Sequence, residues 1–172
     1  MYTFEEWKKN LIIVRGGGDI ATGTIYKLYQ SRFSVLVLEI ANPSCIRRTI
    51  SFCEAVFDKK VEVEGVTAKR AESLEDAFAI YGQGQIPVMI DENGSMIQEV
   101  QPPVVVDAIL AKRNLGTKIT DAPAVIGVGP GFCAGKDVDA VIETQRGHNL
   151  GRVIYEGEAA PNTGIPGMIG GY

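Results

Sequence analysis

The run Gly16-Gly17-Gly18-Asp19-Ile20-Ala21 has the residue types and spacing best suited to chemistry in this sequence. It fits G-x-G-x-x-A, the glycine fingerprint that holds the diphosphate of a dinucleotide. Gly16 permits a tight turn out of a strand. Gly18 leaves main chain bare where a diphosphate would approach, and Ala21 lets a following helix lie close to the strand. That helix would turn unpaired N–H groups and a partial positive charge toward the phosphate. Glu39 follows Gly18 by 21 positions, where an acid takes the ribose hydroxyls, and no basic residue stands directly behind it, a pattern that favours NAD over NADP. The candidate cofactor site is Gly16, Gly17, Gly18, Asp19, Ile20, Ala21 and Glu39, with NAD or another dinucleotide as the ligand. Asp19 argues the other way, because its charge stabilises an empty helix start and repels phosphate. The competing structural reading is a compact strand-to-helix turn that binds nothing.

Two other clusters carry polar chemistry. Gly127-Val128-Gly129-Pro130-Gly131-Phe132-Cys133-Ala134-Gly135-Lys136 has the look of a phosphate-binding Walker A loop, but Pro130 stands where the first glycine belongs and Asp137 replaces the hydroxyl for magnesium. What survives is a backbone nest at Gly129 and Gly131 able to grip an anion, or a plain loop between strands. Cys133 is either a small packed side chain or a thiol activated by nearby Lys136. In Glu143-Thr144-Gln145-Arg146-Gly147-His148-Asn149-Leu150-Gly151-Arg152, the residues Arg146, His148, Asn149 and Arg152 form a candidate loop for an anion or a partner. His148 is the single histidine, so a site built from several histidines cannot form within one chain, and no metal site is expected. No G-x-S-x-G elbow accompanies it, and no catalytic residue can be assigned. Arg47 and Arg48 could touch phosphate, but solvated helix-face arginines are the preferred reading. Asp107 is either a ligand-side acid at a strand end or a helix cap.

These residues need elements to position them. Residues 11–15 form a short apolar run that reads as a buried strand, residues 19–31 a helix with Ile20, Ile25 and Leu28 inward, and residues 34–40 a second strand. Together they make a β-α-β unit. Residues 46–57 are predicted helical. Residues 61–66 alternate with period two, as a strand or hairpin does. Ser73 caps a helix over residues 74–81, a strand covers 86–90, Glu92-Asn93-Gly94 makes a tight turn, and residues 103–106 form another buried strand. Beyond residue 121 helical periodicity fades, and residues 124–128, 138–144 and 152–155 read as strands. The expectation is an α/β protein: a Rossmann-like nucleotide-binding domain over residues 1–121, then a β-rich segment over 122–172 that begins a truncated second domain.

Composition narrows the function. Of 172 residues, 45% are hydrophobic and 22% charged, enough for a packed core. The net charge of −4 offers no basic stripe for nucleic acid. No apolar run is long enough to span a bilayer, and the first ten residues lack the form of a signal peptide, so a cytoplasmic protein is expected. Three cysteines without C-x-x-C spacing argue against a disulfide framework and a zinc knuckle.

Taken together, Val14-Arg15-Gly16-Gly17-Gly18-Asp19-Ile20-Ala21-Thr22-Gly23, Ile46-Arg47-Arg48-Thr49, Glu64-Gly65-Val66, Ala111-Lys112-Arg113-Asn114, Gly129-Pro130-Gly131-Phe132, the run around His148, and Pro161-Asn162-Thr163-Gly164 resemble the selenium-dependent molybdenum hydroxylase accessory proteins of the YqeB type. These are relatives of the XdhC family of xanthine dehydrogenase maturation factors. The resemblance spans nearly the whole chain. It implies a Rossmann-like fold and a role in maturing or inserting the molybdenum pterin cofactor, with a molybdenum hydroxylase as client. It assigns no catalytic residue and leaves a homodimer open. The alternative is an NAD-dependent oxidoreductase.

Overall fold

Residues 2–161 are described by a computed structural model. Of the Pro161-Asn162-Thr163-Gly164 run, only Pro161 falls among the described residues. The chain opens with helix α1 (Phe4–Lys9), closed by a capping box between Thr3 and Glu6. Strand β1 (Leu11–Arg15), helix α2 (Asp19–Gln30) and strand β2 (Ser34–Glu39) follow, as the sequence predicts. Residues 46–57 depart from expectation. They form two 3-10 turns, Arg48–Ile50 and Phe52–Glu54, and a single helical turn, α3 (Ala55–Asp58). β-Branched Thr49 and Ile50 and the absence of a side-chain cap leave this segment without a regular helix start, and contacts to the glycine turn fix it instead.

The hairpin is β3 (Lys60–Val63) and β4 (Val66–Ala71). Helix α4 (Leu74–Gly82) starts at Ser73, whose hydroxyl accepts from the Asp76 N–H. Strand β5 (Ile86–Ile90) leads through the expected turn into a helix the sequence pattern does not announce, α5 (Ser95–Val100). Its six residues are too few to show a helical period, and Gly94 enters it at φ +71°. Then come β6 (Val104–Asp107), β7 (Ala124–Val128), β8 (Cys133–Ala134), β9 (Ala140–Ile142), β10 (Val153–Ile154) and β11 (Gly157–Glu158).

Nine strands form one sheet in the order β10-β9-β7-β6-β1-β2-β5-β4-β3. It is parallel from β9 to β4, with antiparallel β10 and β3 at its edges. The β-rich C-terminal strands β7, β9 and β10 extend this same sheet. Alternation decides the two cores: Leu11, Ile13, Leu36 and Leu38 bury on one face, Ile12, Val14, Val35 and Val37 on the other. Each such burial contributes about 1.5–3 kcal/mol. Helices α1, α4 and α5 cover the first face, with Trp7 packed among Phe4, Phe78 and Tyr81. Helix α2 and the 3-10 turn Phe52–Glu54 cover the second.

Ile20 is a correction. It is 47% exposed, because the inward stripe of α2 runs through Ala21, Thr22 and Ile25, one residue out of phase with it. From β1 the chain winds to β2 and β5, then returns to the opposite side of β1 to lay down β6. The topological switch point therefore lies between β1 and β6, where open α/β sheets place their ligands.

Candidate functional site

A cavity of about 730 Å³ opens at the carboxyl ends of β1, β2 and β6. Its size suits a small-molecule or cofactor site. The glycine turn forms one wall, and its three glycines serve different ends. Gly16 turns at φ +92°, and a Cβ there would come within 2.9 Å of the Ala108 carbonyl oxygen. A Cβ on Gly17 would meet the Cys53 backbone at 3.0 Å. Gly18 alone faces open space, with nothing within 4 Å of a built Cβ. Bare main chain is thus offered to the cavity at Gly18, at the N-terminus of α2.

The turn is fixed from several sides. The Gly17 N–H donates to Glu39 Oε2 at 2.7 Å, and the Ile40 N–H donates to Glu39 Oε1 at 2.8 Å. The Gly17 carbonyl accepts from the Cys53 N–H at 2.8 Å and from the Thr22 hydroxyl at 3.1 Å. Thr22 in turn accepts from the Phe52 N–H at 2.9 Å. The carboxylate read from sequence as a ribose acceptor therefore also shapes the glycine turn. Burial raises the pKa of Glu39 above the usual carboxylate value, and the two backbone N–H groups counter only part of that.

Asp19 accepts from the Ile20 N–H at 2.9 Å, taking one of the free donors of the helix start. Its other oxygen pairs with Arg47 Nε at 2.5 Å. A cation therefore offsets the negative charge at the start of α2, a pairing that the sequence pattern alone does not show. Neither arginine of residues 47–48 rides a regular helix face. Arg48 forks onto Glu54, which holds the Glu54 carboxyl below its ordinary range.

The structure brings Arg146 into the cavity wall along with Thr144 and Gln145. His148, Asn149 and Arg152 are exposed on the same loop and do not line the cavity. Buried Glu143 anchors this loop by accepting from the N–H groups of Gln145 and Ala160. Gly129 and Gly131 sit where protein already fills the space: a Cβ on Gly129 would meet Thr144 and Leu110, and one on Gly131 would lie 2.6 Å from the Arg113 backbone. Asp107 is 1% exposed and occupied by Thr117, Arg15 and the Ile109 N–H. No helix stands between it and β7 for it to cap.

Sequence reasoning missed two parts of the wall. Leu110 lines the cavity at φ +60° in the irregular connection from β6 to β7, and no local pattern marks it. Cys45 and Cys53 also line it, with sulfurs 2.7 Å apart. Among the described residues no group of three or more His, Cys, Asp or Glu is placed to hold a metal ion, and no helix is long and apolar enough to cross a membrane.

Fold and cavity define the class of this chain: an open, doubly wound, mostly parallel α/β sheet with a ligand-sized cavity at its switch point. The chain is similar to a protein of Escherichia coli (strain K12) that bears the name Uncharacterized protein YqeB, at 53% identity over 162 residues. That match takes in 94% of this chain, and the chain spans 30% of the length of that relative. No family model matches the chain, and no solved structure matches it.

Proposed function

We propose that this chain binds a nucleotide or dinucleotide at the glycine turn and serves as an accessory factor in maturing a selenium-dependent molybdenum hydroxylase, handling or inserting its molybdenum cofactor. One observation carries the binding half of the reading: Gly18 presents unobstructed main chain to a cavity of about 730 Å³ at the switch point. The donor set fits a diphosphate. The N-terminus of α2 faces it, and Arg47 and Arg146 flank it with positive charge. Glu39 would take ribose hydroxyls with the acceptor capacity left after its two backbone bonds. A pterin dinucleotide and NAD share the diphosphate and ribose that these residues would meet. The maturation role and the cytoplasmic hydroxylase client rest on the sequence resemblance.

Calorimetric titration of the purified chain with ADP, NAD and NADP tests the binding half. Saturable binding of at least one, weakened by Gly18→Ala, is the expected result. Absence of binding by all three and by the pterin dinucleotide would overturn it. Affinity capture from cells that make a molybdenum hydroxylase tests the client role, which fails if neither the hydroxylase nor its cofactor is retained.

A further inference from the structure

The geometry points to Cys45 and Cys53 as a redox-active dithiol that exchanges with small disulfides entering from the cavity. Their sulfurs stand 2.7 Å apart, inside the ordinary contact distance of two thiols. They need to close by only roughly 0.7 Å to form a bond. Ordinary packing accounts for one of them. Cys53 is fully buried, as free cysteines commonly are. It does not account for Cys45, which is partly exposed on the cavity wall in a segment without regular secondary structure.

The two supports differ in a way that suits exchange. Cys53 lies in the 3-10 turn Phe52–Glu54, and its N–H is bound to the Gly17 carbonyl at 2.8 Å. Cys45 belongs to residues 43–47, which belong to no helix or strand and can adjust to close the gap. Accessibility makes Cys45 the attacking thiol and Cys53 the resolving one. Burial, together with the neighbouring Cys45, Glu39 and Glu54, pushes the Cys53 thiol up and disfavours its thiolate, which leaves the first attack to the accessible partner.

The step balances. The Cys45 thiolate attacks one sulfur of a disulfide RSSR, forming a mixed disulfide and releasing RS⁻. Cys53 then attacks Cys45 Sγ, breaking the mixed bond and releasing the second RS⁻. The two thiol protons end on the two departing thiolates, so two protein thiols and RSSR become one protein disulfide and two RSH. Oxidation would tie residues 43–47, and with them the Asp19–Arg47 pair, to the turn that holds Gly17. A dithiol reductant reverses the reaction.

Glutathione buffers graded from reduced to oxidised test this on the whole chain, with acid quenching, alkylation and mass analysis. The expected oxidised species is two hydrogens lighter, joins the Cys45 and Cys53 peptides, and carries one alkyl group on Cys133, whereas the reduced species carries three. Cys53→Ser should accumulate a glutathione adduct on Cys45 about tenfold or more faster than Cys45→Ser accumulates one on Cys53. Three alkylated thiols at every buffer ratio, or a disulfide that uses Cys133, would overturn the proposal. Equal adduct rates in the two variants would overturn the assignment of roles. Neither readout requires a bound nucleotide, so failure here and failure of nucleotide binding are separate results.

Discussion

Two glycine clusters close parallel strands at the same edge of the sheet, residues 16–18 after β1 and residues 127–131 at the end of β7. They differ in what stands where the side chains would be. At Gly18 nothing lies within 4 Å of a built Cβ. At Gly127 the Phe132 ring lies 2.5 Å away, and at Gly131 the Arg113 backbone lies 2.6 Å away. One glycine leaves room for a ligand, and the others leave room for the protein itself. Glycine density therefore does not by itself mark open space, and the occupant of the missing side chain decides whether the main chain is bare.

The comparison breaks most sharply at Gly131. Gly131→Ala puts a Cβ into backbone that cannot swing aside, at φ +113°. It should cost about 2–5 kcal/mol, read as a lowered urea midpoint. A change within about 0.5 kcal/mol would show the second cluster to be open after all. Gly18→Ala should do the reverse. Its φ of −64° suits alanine, so stability should change by less than about 1 kcal/mol. Nucleotide affinity should fall about tenfold or more, because the new Cβ stands in the path of the diphosphate. If both substitutions destabilise equally and binding is untouched, the two clusters serve one structural purpose. Asp19→Asn sharpens the contrast further. It removes the like charge at the phosphate end and frees Arg47, so an anionic ligand should bind about twofold to fivefold tighter. Calorimetry in low salt reads this directly, and unchanged affinity would place the anion elsewhere.

The elements around the first cluster are legible because their signals are local. Leu11–Arg15 and Ser34–Glu39 are apolar runs bounded by glycine and asparagine-proline, and Ser73 caps its helix through a contact three residues away. The apolar part of the cavity wall is not legible. Cys45 and Cys53 meet only because residues 46–57 turn back on the glycine loop instead of running on as a helix. Arg47 finds Asp19 across 28 positions for the same reason. Leu110 reaches the cavity from a connection with no period at all. The inward phase of α2 misleads at Ile20, since an isoleucine at a helix start satisfies the apolar pattern whichever side it faces. Long-range closure and helix phase are decided by packing, and the local pattern carries neither.

Glu39 offers the finest test of how tightly the open cluster is built. Its carboxylate holds the N–H groups of Gly17 and Ile40 but is partly desolvated, and the balance raises its pKa from the ordinary 4.5. The folded chain then keeps this proton to a higher pH than the unfolded chain does. Between the two values folding binds a proton, so this contribution to stability is complete below 4.5 and is lost as pH rises through the folded value. Glu54 has the opposite sign. Its pKa is lowered by Arg48, so its contribution is present above the ordinary value and lost on acidification. The wild-type curve mixes the two, but the difference between wild type and Glu39→Gln isolates the first. Urea midpoints measured upward from pH 4.5 should fall in wild type relative to Glu39→Gln, by less than the effects at Gly131 and Gly18. A difference that grows in the other direction would mean that the two backbone N–H groups outweigh burial, and that the cavity at the glycine turn is wetter than its walls imply.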